Sequence, residues 1–267
     1  MHRRRRQEFT MKNTNLNVET TRRAIIAGLG TGIAATLLGA PRLAFGAPAQ
    51  ELSDGDILTF ALNLEYLEAE FYAMAANGSA LPATDTRGTG AAGRTQGGKR
   101  VNFENKQLEN LAKEIAEDER KHVEFLRKAL AGAAIAKPVI NLDALGVGFR
   151  DENEFIVVAR ALEDVGVSAY RGAARLIQNK DYLDAAAGIL STEAYHAGHL
   201  RSHAIYAGLE QKALDAKDQP ATDTNWNPTD ENGIVVGRTP AEVGAIVRGA
   251  QASGGAFFPR GLNGKIR

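Results

Sequence analysis

Apolar residues recur every three or four positions along four long stretches of the chain, the spacing that gathers them on one face of an α-helix. The first opens at Ser53 with Asp56 three residues on, a capping box, and continues through "ILTFALNLEYLEAEFYAMAA". A second covers "NKQLENLAKEIAEDERKHVEFLRKALAG", with Gly132 as its expected stop. The third opens at Asp151, with Glu154 three residues later, and continues "FIVVARALEDVGVSAYRGAARLIQN"; the fourth runs from about Tyr182 through "LDAAAGILSTEAYHAGHLRSHAIYAGL". All four exceed the usual helix length, as bundle helices do. The pattern predicts an all-α four-helix bundle over residues 50–210.

The connections carry less pattern. Roughly 25 residues rich in Gly, Thr and Ala separate the first two helices, long for a bundle, and read as a flexible connector. Within them "GRTQGGKR" matches most of a phosphate-binding loop through Gly93, Gly98 and Lys99. Arg100 replaces the Ser or Thr that would hold Mg²⁺, and no apolar strand precedes it, so the phosphate reading fails. "AAIAKPVINLDALGVGFR" joins helices two and three, a crossover long enough to travel along a bundle. Beyond residue 210, turn formers dominate a C-terminal extension, 211–267. One short helix is expected there from Pro240, capped by Thr239 and Glu242, and Phe257 and Phe258 are expected to pack back on the bundle.

The N-terminus differs in kind. Arg22 and Arg23 precede a 17-residue apolar run diluted by Gly and Thr, and small residues follow around "AFGAPAQ". Residues 1–49 thus read as a twin-arginine export signal removed after Gly46 or Ala49, not as a lasting anchor, and the mature protein is expected to be periplasmic or extracellular. Translation could begin at Met1 or at Met11. The segment holds eight Lys/Arg against two Asp/Glu, so the zero overall charge conceals a net of −6 in the remainder, which argues against nucleic acid as a partner. Cysteine is absent, which excludes disulfides, thiolate metal sites and cysteine nucleophiles. Any metal must be held by oxygen and imidazole.

Four of the five histidines follow the signal, all on the second and fourth helices. Two of them stand three residues after a glutamate: Glu119 with His122, and Glu193 with His196. Residues three apart share a helix face. Helices one and three each place a glutamate on an otherwise apolar face, Glu65 and Glu163, with Tyr72 and Tyr170 seven residues on. Core carboxylates are costly unless paired, protonated or bound to a cation. The order Glu, Glu-x-x-His, Glu, Glu-x-x-His, one group per helix, is what a dinuclear carboxylate centre in a four-helix bundle requires. Two divalent cations would neutralise the four carboxylates, with Tyr72 and Tyr170 bonded to them from behind. His199 and His203 have no such partner and read as structural or surface residues.

On these residues the chain resembles the ferritin-like superfamily over about 52–210. With "TEAYHAG", "RTPAEV" and "GGAFFPRGLNG" it also resembles, to its end, the branch of plant and bacterial desiccation-related proteins. The resemblance implies that Glu65 and Glu163 are terminal ligands, that Glu119 and Glu193 bridge the metals, and that His122 and His196 each cap one. Glu68, a turn beyond Glu65, departs from the pattern as an alternative or additional ligand.

Such a donor set suits iron or manganese, and zinc would also accept it. The expected partners are therefore two metal ions with O₂ or hydrogen peroxide, in Fe(II) oxidation or peroxide removal during stress. A homo-oligomer is compatible with this reading. The competing expectation is a non-catalytic desiccation protein with a structural metal or none. An iron-storage cage is weaker, because the long loop and the tail would have to fit around cage contacts.

Overall fold

The computed structural model describes residues 52–249 and 255–267. The expected export signal and its cleavage site lie outside the described residues. Among these residues no helix is long and apolar enough to cross a membrane. Four long helices dominate: α1 (Asp54–Asn77), α3 (Lys106–Leu130), α4 (Glu152–Ala173) and α5 (Lys180–Tyr206), with short α2 (Ala83–Thr86) and α6 (Pro240–Val247). The architecture is an all-α four-helix bundle, as the periodicity predicts.

Local chemistry sets most helix starts. Ser53 and Asp56 close the capping box of α1; Asn105, Asp151 and Asn179 cap α3, α4 and α5; and Thr239 with Glu242 forms a second box ahead of Pro240 in α6. One expected stop is misplaced. It is Ala131, at φ 48°, that breaks α3, not Gly132, and its N–H bonds the carbonyls of Arg127 and Lys128. The break falls where the chain must turn to lay residues 134–142 on the preceding connection, so docking outweighs glycine's local freedom.

The four helices are not equivalent. α1 packs mainly on α3 and α4 mainly on α5, while α1 and α4 also meet each other. α1 buries 17 of its 24 residues and α4 15 of 22, against eight each for α3 and α5, so α1 and α4 are covered on both sides. For α1 the outer cover is the connection and the crossover. The Tyr66 hydroxyl donates to the carbonyls of Asp85 and Ile135, the Val101 N–H reaches the Ala75 carbonyl, and buried Glu70 lies 3.4 Å from Lys137.

The connection is therefore folded, contrary to the flexible connector expected from its composition. β1 (Thr95–Gln96) pairs in parallel with β2 (Ile140–Asn141), and Thr89 bridges Ile135. At Gly93 a Cβ would stand 2.2 Å from the Val139 nitrogen. Its glycines reflect close backbone approach, not freedom of movement.

The extension covers α4. Arg238 donates from its backbone to the Ser168 carbonyl and from Nη1 to Ser168 Oγ, and buried Arg201 on α5 holds the carbonyls of Gln219, Asn225 and Trp226. Val243, Val247, Phe257 and Phe258 join the main core.

Candidate metal centre

Six residues from the four long helices converge in the bundle interior as two groups. Glu65, Glu119, His122 and Glu193 can each place one donor atom within 4.8 Å of the others', and so can Glu119, Glu163, Glu193 and His196. Glu119 and Glu193 belong to both groups. Glu65 and Glu163 each belong to one, on α1 and α4.

The distances place the donors around common points. His122 Nδ1 lies 3.3 Å from Glu65 Oε2 and Glu119 Oε2 and 3.4 Å from Glu193 Oε1; His196 Nδ1 lies 3.1 Å from Glu119 Oε1 and 3.4 Å from Glu163 Oε2. All four glutamates are fully buried. Yet Glu65 Oε2, Glu119 Oε1, Glu163 Oε2, both Glu193 oxygens and His196 Nδ1 have no hydrogen-bond partner among the described residues. Buried polar atoms are nearly always satisfied. Six orphaned donor atoms at near-contact distance point their lone pairs at shared space and not at one another. A pair of divalent cations fits that arrangement.

The remaining carboxylate oxygens are held from behind. The Tyr72 hydroxyl on α1 donates to Glu163 Oε1 on α4 at 2.6 Å, and Tyr170 on α4 donates to Glu65 Oε1 on α1. Each tyrosine thus supports the opposite inner helix's glutamate and not the one seven residues before it. The crossed pair fixes which oxygen of each terminal carboxylate faces the centre.

Without cations the charges conflict. Burial, then repulsion from neighbouring carboxylates, pushes Glu68 and Glu193 well above the usual carboxyl range. Burial raises Glu119 to about 7 despite the neighbouring rings of His122 and His196, which pull it down. Glu65 is lower than usual, because His122 and Tyr170 outweigh its burial. Burial lowers His196, but Glu119 and Glu163 outweigh it and raise the ring to about 11; His122 is raised in the same way by Glu65, Glu119 and Glu193. The protein substitutes protons for missing positive charge.

Glu68 belongs to neither group, but it borders them, and Gly166 explains how. A Cβ at Gly166 would stand 2.5 Å from Glu193 Oε2 and 2.9 Å from Glu68 Oε1. The missing side chain in mid-α4 is the space that both carboxylates occupy. Helical periodicity gives Gly166 no role, although a glycine inside a helix costs about 1 kcal/mol relative to alanine and so marks a need. Nor does the donor pattern single out Asp118, whose Oδ2 lies 3.5 Å from His196 Nε2, the ring nitrogen turned away from the centre. Its signal was slight: an acid next to Glu119 on the same helix. His199 is exposed and His203 half-buried, and neither joins the cluster.

Comparison with known proteins agrees with the geometry. Residues 53–205 match the family model described as "Ferritin-like domain", and the chain belongs to that family. It is also similar to the ferritin-like catalase Nec2 of Nesocodon mauritianus, with 23% identity over 268 residues, spanning 80% of this chain and 85% of the relative. The chain is thus a ferritin-like protein whose buried carboxylate and histidine cluster is suited to metal.

Proposed function

We propose that this chain is an exported di-metal oxidoreductase that removes hydrogen peroxide, with two iron or manganese ions held by Glu65, Glu119, His122, Glu163, Glu193 and His196. The carrying observation is the pair of four-donor groups that share Glu119 and Glu193. In this reading Glu119 and Glu193 would be shared between the two ions, Glu65 and Glu163 would each serve one, and each histidine would offer Nδ1 to one ion. Held there, two redox metals would supply the two-electron exchange by which one H₂O₂ is oxidised to O₂ and a second reduced to two H₂O. Tyr72 and Tyr170 orient the terminal carboxylates, and Asp118 orients His196. Peroxide as the substrate rests on the likeness to a protein named a catalase. Iron would allow Fe(II) oxidation in the same frame.

The test is the metal content of purified wild type beside Glu119→Ala and His196→Ala, followed by peroxide consumption and O₂ release. About two iron or manganese ions per chain, lost in both variants together with O₂ release, is the expected result. A folded, metal-free wild type, or a loaded protein inert to peroxide and to Fe(II), would overturn the reading in favour of a non-catalytic stress protein. Residues 1–49 as a removed twin-arginine signal fit this role, since that route exports folded protein with its metal in place. Metal-loaded protein delivered by a signal for unfolded chains would refute the need for it.

A further inference from the structure

α3 and α5 are the outer helices of the bundle, and each turns one long face to solvent. On α3 that face is charged: Lys113, Glu114, Glu117, Lys121, Glu124 and Lys128 are exposed, and several pair with neighbours a turn away. A face of that kind is solvated. On α5 the face is free of charge, because the charged residues between Asp184 and Tyr206 are Glu193 and Arg201, and both are buried. Ala187, Gly188, Ser191, Ala194, Tyr195 and His199 are exposed there instead.

Two features of the α5 face have no cause within the chain. Gly188 and Gly198 stand inside a helix, where each costs about 1 kcal/mol relative to alanine. A Cβ at either would meet nothing within 4 Å beyond the helix's own backbone, so the chain's own packing does not require them. Tyr195 and Tyr206, on the same side of the helix, are 72% and 80% exposed. Tyr206 is nonetheless held in place: Trp226 meets its ring edge-to-face at 5.6 Å, and Arg201 anchors the Trp226 carbonyl. Large exposed aromatics beside unfilled glycines mark a surface shaped for contact.

We propose that this face of α5 is a dimer interface, covered by the same face of a second copy running antiparallel to it. Pairing centred near residue 197 lays Tyr206 of each copy on Gly188 of the other, and Tyr195 on Gly198 and His199. Each match sets a large side chain on a small one, which accounts for both glycines. A twofold contact brings a surface against itself, so like charges on it would repel. Residues 50–267 carry a net charge of −6, and this strip is a long face of the bundle free of that charge. The strip is about 33 Å long and 12 Å wide, or roughly 800 Å² over two copies. Trp226 at its edge, 40% exposed, brings the contact near the lower bound of about 1,000 Å² for specific association, as suits a micromolar dimer. Neither metal nor peroxide has a part in this contact.

The test is sedimentation velocity of the full chain beside Tyr195→Glu and Gly188→Glu, at about 5 and 100 µM, which bracket a micromolar Kd. Wild type should move from 28.5 kDa toward twice that mass as concentration rises. Both variants should stay at the mass of one chain with unchanged circular dichroism, since each new side chain points into open space in the single copy. The chain has no cysteine, so single replacements report the register. Gly198→Cys, beside the twofold axis, should form a disulfide between copies under mild oxidation. Gly188→Cys, roughly 27 Å from its twin, should not. Wild type that remains a single chain at the higher concentration would overturn the proposal and leave this face to a different partner. A dimer that both glutamate variants leave intact, or cross-linking of Gly188→Cys without that of Gly198→Cys, would overturn it as well.

Discussion

Free of metal, this protein should become less stable as pH rises from 5 to 8. Burial holds Glu119 at about 7 in the metal-free fold, against 4.5 in an open chain. A carboxyl raised by folding contributes stability that is complete below 4.5 and is lost as pH climbs through about 7. The difference corresponds to about 3 kcal/mol. His196, raised to about 11 because Glu119 and Glu163 outweigh its burial, contributes stability that is complete below 6.5 and declines toward 11, which is the same direction. Glu65 is lowered instead, so its contribution is present above 4.5 and stays constant across this window. For a domain of this size, 3 kcal/mol lowers Tm by roughly 6–12 °C. Metal-loaded protein should behave otherwise, because ligand carboxylates bind deprotonated and metal affinity rises with pH. The assay is thermal unfolding by circular dichroism at pH 5, 6.5 and 8, with and without chelator. Chelated Glu119→Gln, which cannot ionise at that position, should lose part of the slope, with His196 and the other raised carboxyls keeping the rest, and outlast chelated wild type at pH 8. Chelated wild type that is as stable at pH 8 as at pH 5 would refute the charge reasoning.

Three further outcomes check separate parts of the architecture. Gly166→Ala should keep the fold yet lose most of its metal, since the new Cβ would meet Glu193 Oε2 at 2.5 Å; full occupancy by mass spectrometry would contradict the packing. Asp118→Asn should weaken metal binding about tenfold in chelator competition, the usual effect of removing a carboxylate behind a ligand histidine, and unchanged affinity would deny Asp118 that role. Phe258→Ala should cost about 3–5 kcal/mol in denaturant unfolding while leaving metal content unchanged, because Phe258 is buried in the main core far along the chain from the ligands.

Much of the frame was legible because it depends on neighbours in sequence. The capping residues at Ser53, Asp151 and Thr239 announce helix starts through bonds that reach only three residues. Glu119 with His122, and Glu193 with His196, read as pairs because helical geometry alone puts residues three apart on one face. Where local signals compete with docking they misled: Gly132 looked like the stop of α3, and a glycine-rich connection looked mobile although its glycines admit the crossover backbone.

What the sequence determined by itself is the number and approximate length of the long helices, several of the caps that start them and the chain order of six donor residues, all consequences of contacts within a turn or two. Tertiary structure decided what depends on residues of different helices meeting, up to 105 apart in the chain. It made α1 and α4 the inner helices, crossed Tyr72 onto Glu163 and Tyr170 onto Glu65, turned Asp118 toward His196, and opened the space at Gly166 for Glu68 and Glu193. No periodicity carries such information. A helix specifies which of its residues share a face, and only packing specifies which face it meets.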